Sequence, residues 1–180
     1  MTNNDVHIMK FIDACKIGDI NTVRHLFENR YVTIDGARHD NNRAFLMACA
    51  NNNLEVVHYL VETMGLTATD ARSIRNYTLQ CICMNDLLEV LHYLVETVGL
   101  TTEDARDDNN LALRVACRSG HLRVVKYLVG ELELTRDDTR YVIKRFETNE
   151  RNGVKHSTAA KECIAFLRCV YPNPKSAACF

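Results

Sequence analysis

The sequence predicts an all-α fold built from repeated helix-turn-helix units. Cysteines recur every 34 residues, and the residues after them place apolar side chains at the 3.6-residue period of a helix. Only two prolines and seven glycines occur in 180 residues, which leaves little material for hairpins or disordered segments. We therefore expect a repeat solenoid, in which each unit packs on its neighbours.

The repeat keeps one register through four copies. Each copy has a cysteine, then a leucine or isoleucine five residues later and a leucine eleven residues later. The connecting segments also recur, as GLTATDAR (65–72), GLTTEDAR (99–106) and ELTRDDTR (133–140). The three recurring positions are Cys15, Cys49, Cys83 and Cys117; Ile20, Leu54, Leu88 and Leu122; and Leu26, Leu60, Leu94 and Leu128.

Each copy contains two helical patterns separated by a tight turn. Gly18, Asn52 and Gly120 lie between the two patterns, and both residue types accept left-handed turn geometry. The connectors contain Thr-x-x-Asp at 67–70, 101–104 and 135–138, the spacing of a capping box. We therefore expect a short helical turn in each connector instead of a β-hairpin.

The predicted organisation is one repeat domain over residues 1–171. Its copies are placed at about 5–37, 38–71, 72–105 and 106–139, followed by a degenerate capping repeat at 140–171. After Arg140 the register is lost, and five extra residues, placed at Thr148–Gly153, restore it. Residues 172–180 are assigned to a C-terminal tail.

The segment ALRVACRSGHLRVVKYLV (112–129) resembles the ankyrin-repeat core, whose pattern runs xTPLHxAAxxGHxxVVxxLL. The matching residues are Leu113, Ala116, Gly120, His121, Val124, Val125, Leu128 and Val129. The sequence departs from that family in its missing Thr-Pro pair, its 34-residue period and its GLTxxDAR connectors. It therefore resembles a divergent ankyrin-repeat protein.

This resemblance implies a non-catalytic protein–protein interaction module, an adaptor or scaffold. In ankyrin-repeat proteins, first helices and connector tips line a concave groove, and we expect variable residues at those positions to contact the partner. These residues are Asp13, Lys16, Met47, Ala50, Ser73, Arg75, Tyr77, Cys81, Met84, Asp107, Asn109, Arg114 and Arg118.

The fourth copy has a distinctive charge pattern. No acid occurs between Asn109 and Gly130, whereas Arg114 and Arg118 share one face of the predicted first helix. Two interpretations stay open: an ordinary solvated helix face, or a site for an acidic segment of a partner.

Other functional classes lack the residues that they need. Four cysteines occupy a small-residue core position, no residue cluster predicts a catalytic, metal or cofactor site, and the net charge of −1 does not favour nucleic acid. The sequence shows neither a signal peptide nor a membrane span, so we expect a cytoplasmic, or nuclear, location. We expect the protein to be a monomer. Two alternatives are a homo-oligomer joined through the capping repeat or Cys179, and an enzyme with a site in the irregular segment 141–158.

Overall fold

The structure is a computed structural model, and it describes residues 3–172. All regular elements in this range are helical, which confirms the predicted all-α repeat class. The predicted tail, apart from Pro172, and Cys179 lie outside the described residues. The α-helices are α1 (Asn3–Ile17), α2 (Ile20–Glu28), α3 (Ile34–Ala37), α4 (His39–Ala50), α5 (Leu54–His58), α6 (Ala68–Ala71), α7 (Ser73–Met84), α8 (Leu88–Tyr93), α9 (Thr102–Ser119), α10 (Leu122–Gly130), α11 (Arg136–Arg151) and α12 (Thr158–Val170). Two π-helical segments, Tyr59–Thr63 and Leu94–Val98, continue α5 and α8.

The chain divides into two compact units. The first contains the described residues up to Ile82 together with Glu89–Leu100. In this unit α1 packs on α2 and α4, and Phe11 and Phe45 are fully buried. The second contains Cys83–Leu88 and the described residues from Thr101 onward. There α9 packs on α10, α11 and α12, around the buried side chains of Leu113 and Leu128.

The turn between the two helices of a copy adopts the left-handed conformation in all four copies. The value of φ is +79° at Gly18, +60° at Asn52, +58° at Asp86 and +81° at Gly120. Behind three of these turns, a backbone N–H returns to the preceding helix, as from His121 to the Ala116 carbonyl at 3.0 Å. The turns predicted at Gly18, Asn52 and Gly120 are therefore confirmed, and Asp86 shows that aspartate also accepts this geometry.

The connectors begin with the short helical turns that their capping boxes predict. The backbone N–H of Thr67 donates to Asp70 Oδ2 at 2.8 Å, and those of Thr101 and Thr135 donate to the aspartate three residues later. These carboxylates satisfy N–H groups that no helical carbonyl can reach.

Two of these aspartates, Asp70 and Asp138, also link one copy to another within a unit, through an arginine 32 residues earlier. Arg38 donates from Nε to Asp70 Oδ1 at 2.8 Å and from Nη2 to Oδ2 at 3.2 Å. Arg106 donates from Nε to both oxygens of Asp138, at 3.2 and 3.3 Å. Burial opposes ionisation of Asp70, but the bonds from Arg38 and Thr67 outweigh it and lower the pKa of that carboxyl.

The last copy differs because its connector and its first helix are fused. Val142, Ile143 and Lys144 stand where the fourth copy has Asp108–Asn110, and they continue α11 instead of breaking it. The expected irregular segment 141–158 is thus helical through Arg151, and the extra residues placed at Thr148–Gly153 mainly lengthen the helix. β-Branched residues favour this continuation, because they resist left-handed geometry.

The repeated cysteines are core residues, as predicted. Cys15, Cys49 and Cys83 are 0% exposed and Cys117 is 1% exposed, and all four are free thiols. Burial raises the pKa of Cys15 to about 12, so this thiol stays protonated at neutral pH. No helix within residues 3–172 is long and apolar enough to cross a bilayer.

We predict that Gly120→Ala destabilises the chain more than Gly153→Ala, because only Gly120 lies against another helix. A Cβ at Gly120 would lie 2.5 Å from Ala159 Cβ, whereas a Cβ at Gly153 would have no atom within 4 Å. Both residues have positive φ, so Gly153→Ala is the matched control. Urea unfolding should show a loss of about 2–4 kcal/mol for Gly120→Ala and about 1–2 kcal/mol for Gly153→Ala. Equal losses would contradict this packing.

We predict that Arg38→Met costs about 1–3 kcal/mol of unfolding free energy at pH 7, because it leaves Asp70, which is 4% exposed, without its charged partner. Arg43→Met removes an exposed pair to Asp40 of similar length, 3.0 Å, and should cost less than about 0.5 kcal/mol. Because the pKa of Asp70 is lowered, the Arg38 contribution is present at neutral pH. It should disappear as the pH falls below about 3.9 and through the lower folded pKa. A loss unchanged at acid pH would argue against the ion pair.

Candidate functional site

The first-helix residues proposed from the sequence differ in their exposure in the first unit. Asp13 and Lys16 are exposed on α1, and Met47 and Ala50 are partly exposed on α4. Cys81 is only 7% exposed and therefore presents little surface to a partner.

The connector tips have a conformation that was not predicted from the sequence. Three consecutive residues are left-handed in each of three connectors: φ is +52° to +60° at 40–42, +51° to +55° at 74–76 and +47° to +58° at 108–110. The proposed contact residues Arg75 and Asn109 are the middle residues of two of these turns, and both are exposed. The sequence does carry a signal, since Asn42, Asn76 and Asn110 recur at 34-residue spacing and asparagine accepts this geometry.

Side chains hold these left-handed turns in place. Ser73 Oγ donates to the Asn41 carbonyl at 2.9 Å, so one turn bonds to the start of the next copy in the first unit. Tyr77, also proposed as a contact residue, is 44% exposed beside the second of these turns. In the second unit Arg114 Nη1 donates to the Asp108 carbonyl at 3.1 Å, which fixes the direction of this guanidinium group.

The second unit contains a cavity of about 140 Å³ between α9 and α11. Arg114 and Arg118 line it from α9, and Arg145 and Asn149 line it from α11. The two residues of each pair are four apart and therefore share one helix face. We call this set of residues, together with His156, the arginine cavity. Of the other proposed residues in this unit, Met84 is exposed and Asp107 is partly exposed, and neither lines the cavity.

The arginine cavity is lined without a carboxylate. Arg118 and Arg145 are exposed at its rim, and neither has an ion pair with any residue from 3 to 172. Arg114 is bonded to a backbone carbonyl, which leaves its charge uncompensated. Three guanidinium groups therefore create a positive potential over one small concavity.

An aromatic pair closes one side of the cavity. The ring of His156 stacks on Phe146, with centroids 3.8 Å apart and planes 20° apart. Its Nε2 is buried and has no hydrogen-bond partner within the described residues. Cys117 also lines the cavity, but burial raises the pKa of its thiol, so it does not supply a thiolate nucleophile.

A larger, open groove of about 700 Å³ in the first unit has a different character. Glu28 and Asp35 line it together with Arg30 and Arg38, and Arg38 is already paired with Asp70. Its charges are therefore balanced, and this groove does not select an anion. Within the described residues, no three His, Cys, Asp or Glu side chains converge as metal ligands would.

Comparison with protein families identifies the repeat. Residues 40–69, which form most of the second copy, match the family model described as ankyrin repeat. This chain contains an ankyrin repeat. The ankyrin repeat is a general protein–protein interaction module, and the three other full copies in this chain carry the same 34-residue pattern. No curated protein matches the sequence.

We predict that Ile74→Asn stabilises this ankyrin-repeat protein by about 1 kcal/mol, because Ile74 is β-branched at a φ of +51° and asparagine tolerates that geometry. Ile74 is 53% exposed, so little burial is lost. Ile17→Asn is the control: it removes a 74% exposed isoleucine at the end of α1, where φ is not positive, and should bring no gain. Urea unfolding of both variants checks this, and a gain at Ile17 alone would contradict it.

Proposed function

We propose that this ankyrin-repeat protein is a non-catalytic adaptor or scaffold that binds a partner protein through its first helices and connector tips. The observation that supports this most strongly is the arginine cavity, where Arg114 and Arg118 meet Arg145 from the next copy without a carboxylate among the lining residues. The partner segment that fits this surface is acidic, as the fourth copy's sequence suggested.

The composition of the cavity favours binding over catalysis. Cys117 and His156 both line it, which is the residue pair of many nucleophilic enzymes. However, the raised pKa of Cys117 keeps its thiol protonated, and a thiol is a weak nucleophile compared with a thiolate. Arginine remains protonated in proteins and supplies neither a base nor a nucleophile.

The cellular location and the oligomeric state are also part of this proposal. A cytoplasmic, or nuclear, monomer is our proposal, and it fits a protein that uses buried free thiols as core residues. Self-association is the alternative; its sequence basis is Cys179, outside the described residues, and the capping repeat.

The proposal predicts electrostatic binding of a fluorescein-labelled peptide that contains a run of glutamates, measured by fluorescence anisotropy. Arg118→Glu and Arg145→Glu should each weaken binding by about tenfold or more, because each places a like charge beside the peptide. The affinity should also fall as salt screens the charges. The same peptide with glutamines should not bind.

Arg123→Glu is the matched control, since it makes the same change in net charge on α10, where Arg123 is exposed and does not line the cavity. It should leave the affinity nearly unchanged. Equal weakening by all three substitutions would show a diffuse charge effect, and no binding by the wild-type chain would overturn the acidic-partner proposal.

A further inference from the structure

The arginine cavity has a more specific chemistry than attraction to an acidic surface. We propose that it binds a phosphomonoester, namely the phosphorylated side chain of a partner peptide. This inference rests on the proposed function, because it names the group by which the partner is held. It follows from the size of the cavity, its charge, the placement of its donors on two facing helices and one unpartnered ring nitrogen.

The volume favours one side chain over a free metabolite. Pockets for small organic ligands occupy about 300–1,000 Å³, whereas the arginine cavity measures about 140 Å³. It is nevertheless several times larger than the roughly 30 Å³ share of one water molecule in liquid water. A single charged group, carried by a chain that lies outside, fits this size.

The charge exceeds what one carboxylate can neutralise. Arg114, Arg118 and Arg145 contribute three positive charges, and no acid lines the cavity. A carboxylate would bring one negative charge and two oxygens, but a phosphomonoester brings about −1.5 to −2 and three acceptor oxygens at neutral pH. Guanidinium groups donate in a planar fork that matches phosphate oxygens, so three of them can share one phosphate group.

The backbone sets where the donors stand, and one of them is held by a hydrogen bond before any ligand arrives. Arg114 is held by the Asp108 carbonyl of the left-handed turn, and α9 carries Arg118 one helical turn further on. On α11, Arg145 and the amide of Asn149 face the same cavity one turn apart. This placement depends on the fused helix of the last copy, which continues where the earlier copies have a left-handed turn.

His156 supplies the fourth observation. Its ring is fixed by stacking on Phe146, and its Nε2 is buried without a hydrogen-bond partner among residues 3–172. A buried polar atom without a partner is costly, and because His156 lines the cavity, a small movement of its ring toward a bound phosphate oxygen would give Nε2 that partner. The positions equivalent to Arg114 and Arg118 are Ile12 and Lys16, Leu46 and Ala50, and Gln80 and Met84, so the first three copies lack this pair of arginines.

The test uses the full chain and three fluorescein-labelled peptides of one neutral sequence, with serine, glutamate or phosphoserine at the central position. We expect the phosphoserine peptide to bind about tenfold or more tightly than the glutamate peptide, since even one additional charge-assisted hydrogen bond can account for that ratio. The serine peptide should not bind. Inorganic phosphate should compete at higher concentration, and an NMR spectrum should show the His156 ring resonances shifting with the phosphopeptide.

Three variants locate the site. Arg145→Gln should remove the preference for phosphoserine over glutamate, and His156→Phe should reduce it while keeping the stacked ring. Arg123→Gln, the control on α10, should change neither affinity. Circular dichroism shows whether each variant is folded, and a second substitution, Arg118→Gln, replaces Arg145→Gln if that variant is unfolded.

The outcomes separate this inference from the proposed function. If the run of glutamates binds through Arg118 but phosphoserine brings no preference over glutamate, the phosphate inference is wrong and the acidic-partner proposal stands. If neither the run-of-glutamates peptide nor the phosphoserine peptide binds, the acidic-partner proposal and the phosphate inference are both wrong. Equal affinity for inorganic phosphate and the phosphopeptide, or tighter binding of a single-stranded oligonucleotide through Arg145, would also overturn the assignment to a phosphorylated partner.

Discussion

The structure depends on one constraint: each helix pair has apolar residues on more than one face and cannot bury them alone. Leu26, Leu60, Leu94 and Leu128 are at most 2% exposed, which shows how completely neighbouring elements cover the recurring positions. A core of this kind is a sum of nearest-neighbour contacts. Small buried residues such as Cys49 and Ala48 permit the close approach of neighbouring helices within a unit.

Polar groups at the two ends of each copy then fix its register on the neighbouring copy, which apolar contacts alone would not determine. The Arg38–Asp70 and Arg106–Asp138 pairs each join two connectors, while the same aspartates cap their own helical turns. At the opposite end of a copy, Asn53 donates to the Cys15 and Lys16 carbonyls, and His121 bonds to the Met84 carbonyl at 2.8 Å. These bonds are directional, so they tolerate little sliding of one copy past its neighbour.

The arginine cavity arises where this repetition stops. The loss of asparagine at 142–144 replaces a left-handed turn with continuous helix, so α11 brings Arg145 and Asn149 beside the arginines of α9. The first helix of the first three copies lacks the arginine pair. In the fourth copy, Arg114 and Arg118 together with Arg145 thereby form a concentrated positive site. The part of the chain that departs from the repeat is thus the part that most strongly favours an anionic ligand.

The repeat, the helical class, the capped connectors and the buried cysteines can all be predicted from the sequence alone. These features follow from local propensity and from periods that any copy reveals when compared with another. The sequence also singled out Arg114 and Arg118 as peculiar to one copy, but it did not reveal the left-handed connector turns or the Arg–Asp pairs. That Arg145, Asn149 and His156 lie beside those arginines is visible only in the folded chain, because their proximity depends on the path of a helix that has left the repeat register. Distances through space between such residues are set by packing, and no spacing along the chain encodes them.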